Sequence, residues 1–148
     1  MSENSFRTVT VGVLLPFDYN LYQAGIILDV LKSTNQYCYD NGIDFRFEIE
    51  IVQTQGQINE NSNAFYNIPV TSTLSEKSYE LVFIPPIETD DISEILEKNK
   101  VFKDWIIEQH EQKAQIYSFS NAIVLLAHSG LLDHQKIGLL GIEDDFFN

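Results

Sequence analysis

A polar turn between an apolar strand and an apolar helix is the part of this chain best suited to chemistry. The predicted strand covers Ile116 to Phe119, the turn holds Ser120 and Asn121, and the predicted helix runs from Ala122 to Ser129. Gly130 follows as the left-handed residue that ends a helix. Such a turn resembles a nucleophile elbow, which presents a reactive side chain at the edge of a sheet. The N–H groups at the helix start could also hold a carboxylate, a phosphate or an amide oxygen.

Catalysis by this turn would require a base, because a serine hydroxyl attacks only when its proton is taken. His128 lies on the predicted helix and His134 just beyond it, and neither is expected to reach Ser120. The three histidines, His110, His128 and His134, do not have the spacing typical of a zinc site. The acidic residues 143–145 are typical of a helix start or a solvated face rather than of a cation site. The sequence therefore predicts no metal site and no cofactor.

The composition suits one globular domain. The chain has 148 residues, of which 44% are hydrophobic, enough to bury roughly 70% of the unfolded surface. The longest apolar run, residues 122–127, is too short to cross a bilayer, and no signal segment begins the chain. These features predict one domain over residues 1–148, located in the cytoplasm.

The charge balance argues against contact with nucleic acid. Nine basic and 22 acidic side chains give a formal net charge of −13, whereas binding to phosphate backbones depends on Lys and Arg. The basic residues are also scattered, so we expect neither a nucleic-acid surface nor a surface for an anionic membrane.

Apolar strands alternate with amphipathic helices along the chain. This alternation predicts an α/β fold with a mostly parallel sheet flanked by helices on both faces. The predicted strands are 8–15, 45–53, 81–84 and 116–119; the predicted helices are 21–32, a helix capped by Asp90 or Asp91, one carrying Phe102 and Trp105, and 122–129. Between them we expect a loop from Asn35 to Gly42 and an irregular segment 54–78, with strand pieces near Phe65 and Val70 and a helical turn at 73–76.

Several landmarks occur in the order found in one known superfamily. They are a first strand, a helix ending in Leu28-Asp29-Val30-Leu31, a strand closed by Pro85, and the elbow with Gly130-Leu131-Leu132-Asp133. In the order of these landmarks the chain resembles the ThiJ/PfpI superfamily, whose fold is flavodoxin-like and shared with class I glutamine amidotransferases. The Gly-Leu-Leu-Asp ending is most similar to the amino-terminal half of AraC-type transcriptional regulators.

The resemblance implies an active site that has lost its chemistry. Ser120 stands where the superfamily has its cysteine, and Leu140, within Gly138 to Gly141, falls where the base histidine would be. Gln23 replaces a glutamate that partners the cysteine. The oxyanion loop, commonly Pro-Gly-Gly, is Pro85-Pro86-Ile87, and Pro86 has no N–H to donate. Four simultaneous changes predict that this protein is not an enzyme.

A binding pocket could survive without catalysis. The carboxyl ends of parallel strands form the crevice where ligands bind, and the candidate lining is Ser120, Asn121, Gln23, Tyr19, Tyr22, Pro86 and Ile87. The expected ligand is a small polar or anionic metabolite. Ser and Asn are also what an ordinary helix cap requires, and this interpretation stays open.

The last residues, Phe146-Phe147-Asn148, resemble the start of an unfinished amphipathic helix. The resemblance therefore implies a ligand-sensing or dimerisation domain, incomplete at its carboxyl end and separated from its DNA-binding part. We expect a homodimer that covers exposed apolar surface. Two alternatives remain: a diverged hydrolase or hydratase-like enzyme using Ser120, and a pure interaction module.

Overall fold

A parallel five-stranded sheet organises the protein, as a computed structural model covering residues 5–65 and 67–132 shows. The strand order is β3-β2-β1-β4-β5, and every neighbouring pair is parallel. The strands are β1 (Arg7–Leu14), β2 (Phe45–Gln53), β3 (Val70–Ser72), β4 (Leu81–Ile84) and β5 (Gln115–Ser118). The predicted α/β class is confirmed.

Within the described residues, five α-helices and two short 3-10 turns accompany the strands. The helices are α1 (Leu21–Asp40), α2 (Gln55–Asn59), α3 (Ile92–Asn99), α4 (Lys103–Glu111) and α5 (Ile123–His128). The 3-10 turns are Lys100–Phe102 before α4 and Ser120–Ala122 before α5. Asp91 caps α3, as predicted, because its side chain accepts a hydrogen bond from the Glu94 N–H at 3.2 Å.

The two faces of the sheet bury two separate cores, because successive residues of a strand point to opposite faces. On one face, α1 packs Leu28 and Leu31 against Val11 and Val13 of β1. On the other face, α3, α4 and α5 pack against Leu14 of β1 and against β4. Helices thus lie on both faces, and because all five strands are parallel, their carboxyl ends lie together along one edge.

Helix α1 is longer than the sequence predicted. It continues to Asp40, whereas the apolar pattern ends near Lys32 and predicts a loop from Asn35. Asn35 lies inside the helix, where its side chain accepts from the Phe47 N–H at 2.7 Å and donates to the Phe47 C=O at 2.8 Å. The polar residue therefore joins the helix to β2, and its polarity does not mark a helix end.

The segment 54–78 contains a short helix that the sequence analysis missed. Thr54 and Gln57 form a capping box at the start of α2, in which each side chain bonds the other residue's backbone N–H. The strand near Val70 is confirmed as β3. Phe65 lies outside any strand, and the predicted helical turn at 73–76 is a non-helical turn.

Strand β1 is in close contact with the ring of Tyr79 at Gly12. A Cβ atom placed on Gly12 would lie 2.9 Å from Cδ2 of the Tyr79 ring. Tyr79 is 3% exposed, and its hydroxyl donates to a Glu50 carboxylate oxygen at 2.6 Å. Burial and this bond raise the pKa of the Tyr79 phenol. The ring therefore occupies the space that a side chain at position 12 would need.

Candidate functional site

The candidate site lies where the strand order reverses, at the carboxyl ends of β1 and β4. Here the loop after β1 pairs with the loop after β4 through a bridge between Tyr19 and Ile87. The Asn20 N–H donates to the Pro86 C=O, and the Glu88 N–H donates to the Asp18 C=O, both at 2.7 Å. Backbone hydrogen bonds thus join the two loops across the crevice.

Asn121 ties the elbow after β5 to the same loop. Its Oδ1 accepts from the Ile87 N–H at 2.8 Å, and its Nδ2 donates to the C=O groups of Ile87 and Thr89 at 2.7 and 2.9 Å. The side chain caps no helix. Its three hydrogen bonds go to the protein's own backbone, and the Ile87 N–H, which lies in the loop that would supply an oxyanion donor, already has an acceptor.

Ser120 adopts the backbone conformation of a nucleophile elbow. Its φ angle is +53°, a left-handed value that is uncommon outside glycine. The residue is exposed and begins the 3-10 turn that leads into α5. The strand-turn-helix geometry expected from the sequence is therefore present, with α5 shorter than predicted at six residues.

The two described histidines lie away from Ser120. His128 ends α5, eight residues after Ser120 and about 12 Å along the helix axis. His110 lies in the last turn of α4, which leads into the amino end of β5 and so belongs to the opposite edge of the sheet. His134, the Leu140 segment and the acidic residues 143–145 lie outside the described residues.

The remaining predicted pocket residues divide into two groups. Tyr19 lies beside Ile87, and burial raises the pKa of its phenol, against a smaller opposing effect of a backbone hydrogen bond with Ala64. Tyr22 and Gln23 are exposed on α1, with Tyr22 at 82%. The structure therefore brings Tyr19 to the paired loops with Pro86, Ile87 and Asn121, and leaves Tyr22 on the outer surface.

An ion-pair cluster lies beside the paired loops. The Lys98 ammonium is 2.6 Å from an Asp18 carboxylate oxygen and 2.9 Å from one of Glu94. The hydrogen bond to Asp18, followed by that to Glu94, raises the pKa of the Lys98 amine. Asp18 also has a left-handed φ of +62°. The cluster fixes the loop after β1 against α3, and it leaves these carboxylates already partnered by a cation.

The described residues also form cavities outside the predicted pocket. One of about 770 Å³ is at the amino ends of the strands and includes Arg7 and Lys113. Another, of about 230 Å³, lies beyond the carboxyl end of β2 and includes Gln53. Sequence reasoning missed Gln53, although a signal was present: it interrupts the apolar alternation of β2.

The described residues contain no cluster of three or more His, Cys, Asp or Glu side chains that could hold a metal ion. Within the same part of the chain, no helix has both the length and the apolar character needed to span a membrane.

Comparison with known proteins shows a structural likeness without a sequence family. No model of a known protein family and no curated protein matches the chain. The fold is similar to the crystal structure of a protein from Vibrio parahaemolyticus that is proposed to be a transcriptional regulator, with a TM-score of 0.59 and 18% identity. The match covers 86% of this chain and 64% of that one, so this chain spans less than two thirds of its neighbour's length.

Ser120→Gly is expected to raise the free energy of unfolding by about 0.5–1 kcal/mol. A non-glycine residue in the left-handed conformation costs about 1–2 kcal/mol of stability. Glycine removes this cost but loses more backbone entropy on folding, so the net gain in stability is smaller. Urea denaturation measures the change. Ser118→Gly is the matched control, since Ser118 lies in extended β5, and it should destabilise the protein. A loss of stability in both variants would mean that the turn at Ser120 is not strained.

Proposed function

We propose that this chain is a non-catalytic, ligand-sensing and dimerisation domain of a cytoplasmic transcriptional regulator, whose DNA-binding part lies outside this chain. The observation that carries the non-catalytic part is the hydrogen bond from the Ile87 N–H to Asn121. It occupies the donor that an oxyanion would need, while Pro86 offers none. The resemblance to AraC-type regulators and the fold shared with the Vibrio protein support the regulatory part.

An exposed apolar stripe on α1 supports self-association. Tyr22, Ile26, Val30 and Tyr37 are 82%, 56%, 57% and 62% exposed. At 3.6 residues per turn they lie within an arc of about 80°, opposite the buried side of the helix. Apolar side chains grouped in this way, on a helix whose other side is already buried, are typical of a protein interface.

The form of α1 favours a second copy of this chain as the partner. The midpoint of the stripe lies next to Val30, so an antiparallel two-fold pairing of α1 with its copy would lay each stripe on the other and place Val30 near the two-fold axis. Asp29 flanks the stripe, about 20° from Tyr22, whereas Lys32 lies about 80° beyond it and faces away from such a partner.

A charge placed in the stripe tests this arrangement. Val30→Glu would bring two like charges together near the two-fold axis and should abolish association. Leu74→Glu, an equally drastic change at a 79% exposed loop position, should leave association unchanged. Sedimentation equilibrium of the full chain gives the dissociation constants.

These measurements distinguish an interface on α1 from dimerisation through another surface. If the wild-type chain is a dimer and Val30→Glu does not weaken it, the interface lies elsewhere and the proposed dimerisation is retained. A wild-type chain that is monomeric at every concentration would remove dimerisation from the proposal.

The elbow geometry of Ser120 favours a second candidate, a diverged serine hydrolase. An exposed serine at φ +53° is the arrangement such enzymes use. A fluorophosphonate probe decides between the two, because it labels a serine that a base activates. Under our proposal, labelling of the wild-type chain should not exceed that of Ser120→Ala.

A further inference from the structure

The cavity beyond β2 contains a buried polar group that lacks a partner. Gln53 is 0% exposed, and its Oε1 is the buried side-chain atom among the described residues that accepts no hydrogen bond. Its Nε2 donates only a long bond of 3.4 Å, to the Ser62 hydroxyl. Leaving a buried amide oxygen unpaired is costly, and native proteins pair nearly all such atoms.

The protein cannot supply the missing donor from Ser62. The single proton of the Ser62 hydroxyl is used in a 3.0 Å hydrogen bond to the Gln57 C=O. Turning the Gln53 amide over would place its oxygen against the Ser62 oxygen and leave Nε2 unpaired instead. Either orientation of the amide therefore leaves at least one buried polar atom facing the cavity without a partner.

The unpaired amide of Gln53 lies at a position of β2 that would suit an apolar side chain. It follows Phe45, Phe47, Ile49 and Ile51 on one face of the strand, where the pattern calls for another apolar residue. A leucine there would bury apolar surface without any hydrogen-bonding deficit. The amide thus reduces stability at the edge of a parallel sheet where ligands bind.

The cavity lining defines the ligand's chemistry. The polar side chains are those of Gln53, Asn61, Ser62 and Asn63, and the rest are aliphatic. Among the described residues no charged side chain lines this cavity, so an ion would lose hydration without a counter-charge. Its volume of about 230 Å³ is below the usual range for drug-sized ligands. These features fit a small uncharged molecule with an N–H or O–H donor.

We infer that this cavity is a binding site for a small uncharged amide or hydroxyl compound, which donates a hydrogen bond to Gln53 Oε1. The inference rests on the proposed ligand-sensing function and replaces the predicted pocket at Ser120 as its location. Helix α2, which precedes the lining residues 61–63, is joined to the residue after β1 by a bond from Gln57 Nε2 to the Leu15 C=O at 3.2 Å. Ligand binding would therefore stabilise the segment that adjoins the paired loops.

Acetamide and acetate form a matched pair of probes for this site. They have nearly the same shape, but acetamide donates N–H bonds, whereas acetate donates none and carries a charge. In ¹H–¹⁵N NMR titrations of the full chain, acetamide should cause saturable shifts at the Gln53 side chain and the backbone of residues 61–63. Acetate should cause none. Equal shifts with both, or none with acetamide, would overturn the inference.

Two variants locate the binding. Gln53→Leu removes the acceptor and should weaken acetamide binding by about tenfold or more while raising the melting temperature. Val70→Phe fills the cavity from a lining position that is 39% exposed and should block binding even if the first variant folds poorly. Unchanged binding in a folded variant would refute the site. Sedimentation of the same samples tests self-association separately, so its failure is distinguishable from the failure of this site.

Discussion

Asn121→Ala is expected to lower the free energy of unfolding by about 3 kcal/mol. The change removes three hydrogen bonds to the backbone of Ile87 and Thr89, each worth about 1 kcal/mol net. It also leaves the peptide groups of Ile87, a residue that is 5% exposed, without their partner. Urea denaturation, followed by circular dichroism, measures the loss.

Asn59→Ala is the matched control for this prediction. Asn59 ends α2, is exposed, and accepts one hydrogen bond from the neighbouring Gln55 side chain. Its replacement should change stability by less than about 0.5 kcal/mol. If Asn121→Ala were equally mild, the amide would not join the two loops, and the Ile87 N–H would be available to an oxyanion after all.

Gly12→Ala should destabilise the protein by about 2–3 kcal/mol. The new methyl group would lie within 3.2 Å of three atoms of the Tyr79 ring. This ring is held by packing against Trp105 and by its hydrogen bond to Glu50, so it has little room to move. Overpacking of this kind in a rigid core costs about 1–3 kcal/mol, here at the upper end.

Gly25→Ala makes the same chemical change with the opposite expected sign. A Cβ at Gly25 would be 3.9 Å from its nearest neighbour, Cε1 of Phe65, and the residue lies inside α1. Alanine in a helix interior is favoured over glycine by about 0.8–1 kcal/mol, so the variant should be more stable. Thermal unfolding of the two variants compares them directly. A stable Gly12→Ala protein would mean that the Tyr79 ring can shift.

The strands were predictable because the apolar residues that bury each strand lie close together in the sequence. β2 and β4 have the predicted bounds, and β1 differs by one residue at each end. Helix α1 was cut short because Asn35 is polar, and the helix could not be followed without knowing that β2 lies beside it. Helix α2 was missed although Thr54 and Gln57 carry the spacing of a capping box.

The candidate site was less predictable, because its contacts join distant parts of the chain. Asn121 was expected to contact a ligand, but the sheet order brings the loop after β4 within its reach. The residues next to Asn121 in the sequence do not indicate that Ile87 is its hydrogen-bonding partner. Gln53 was visible as an interruption of an apolar pattern, yet the absence of a partner for its oxygen depends on Ser62 and Gln57, whose positions only the fold supplies.

The central place of β1 has a consequence for synthesis and folding. Strand β1 pairs with β2 over eight residues and with β4 over three. Until residue 84 emerges, the nascent chain exposes the β1 edge that β4 will cover, flanked by Val11 and Val13. Unpaired strand edges of this kind are sites of aggregation. Fragments that end before β4 should therefore aggregate and be poor material for biochemical work.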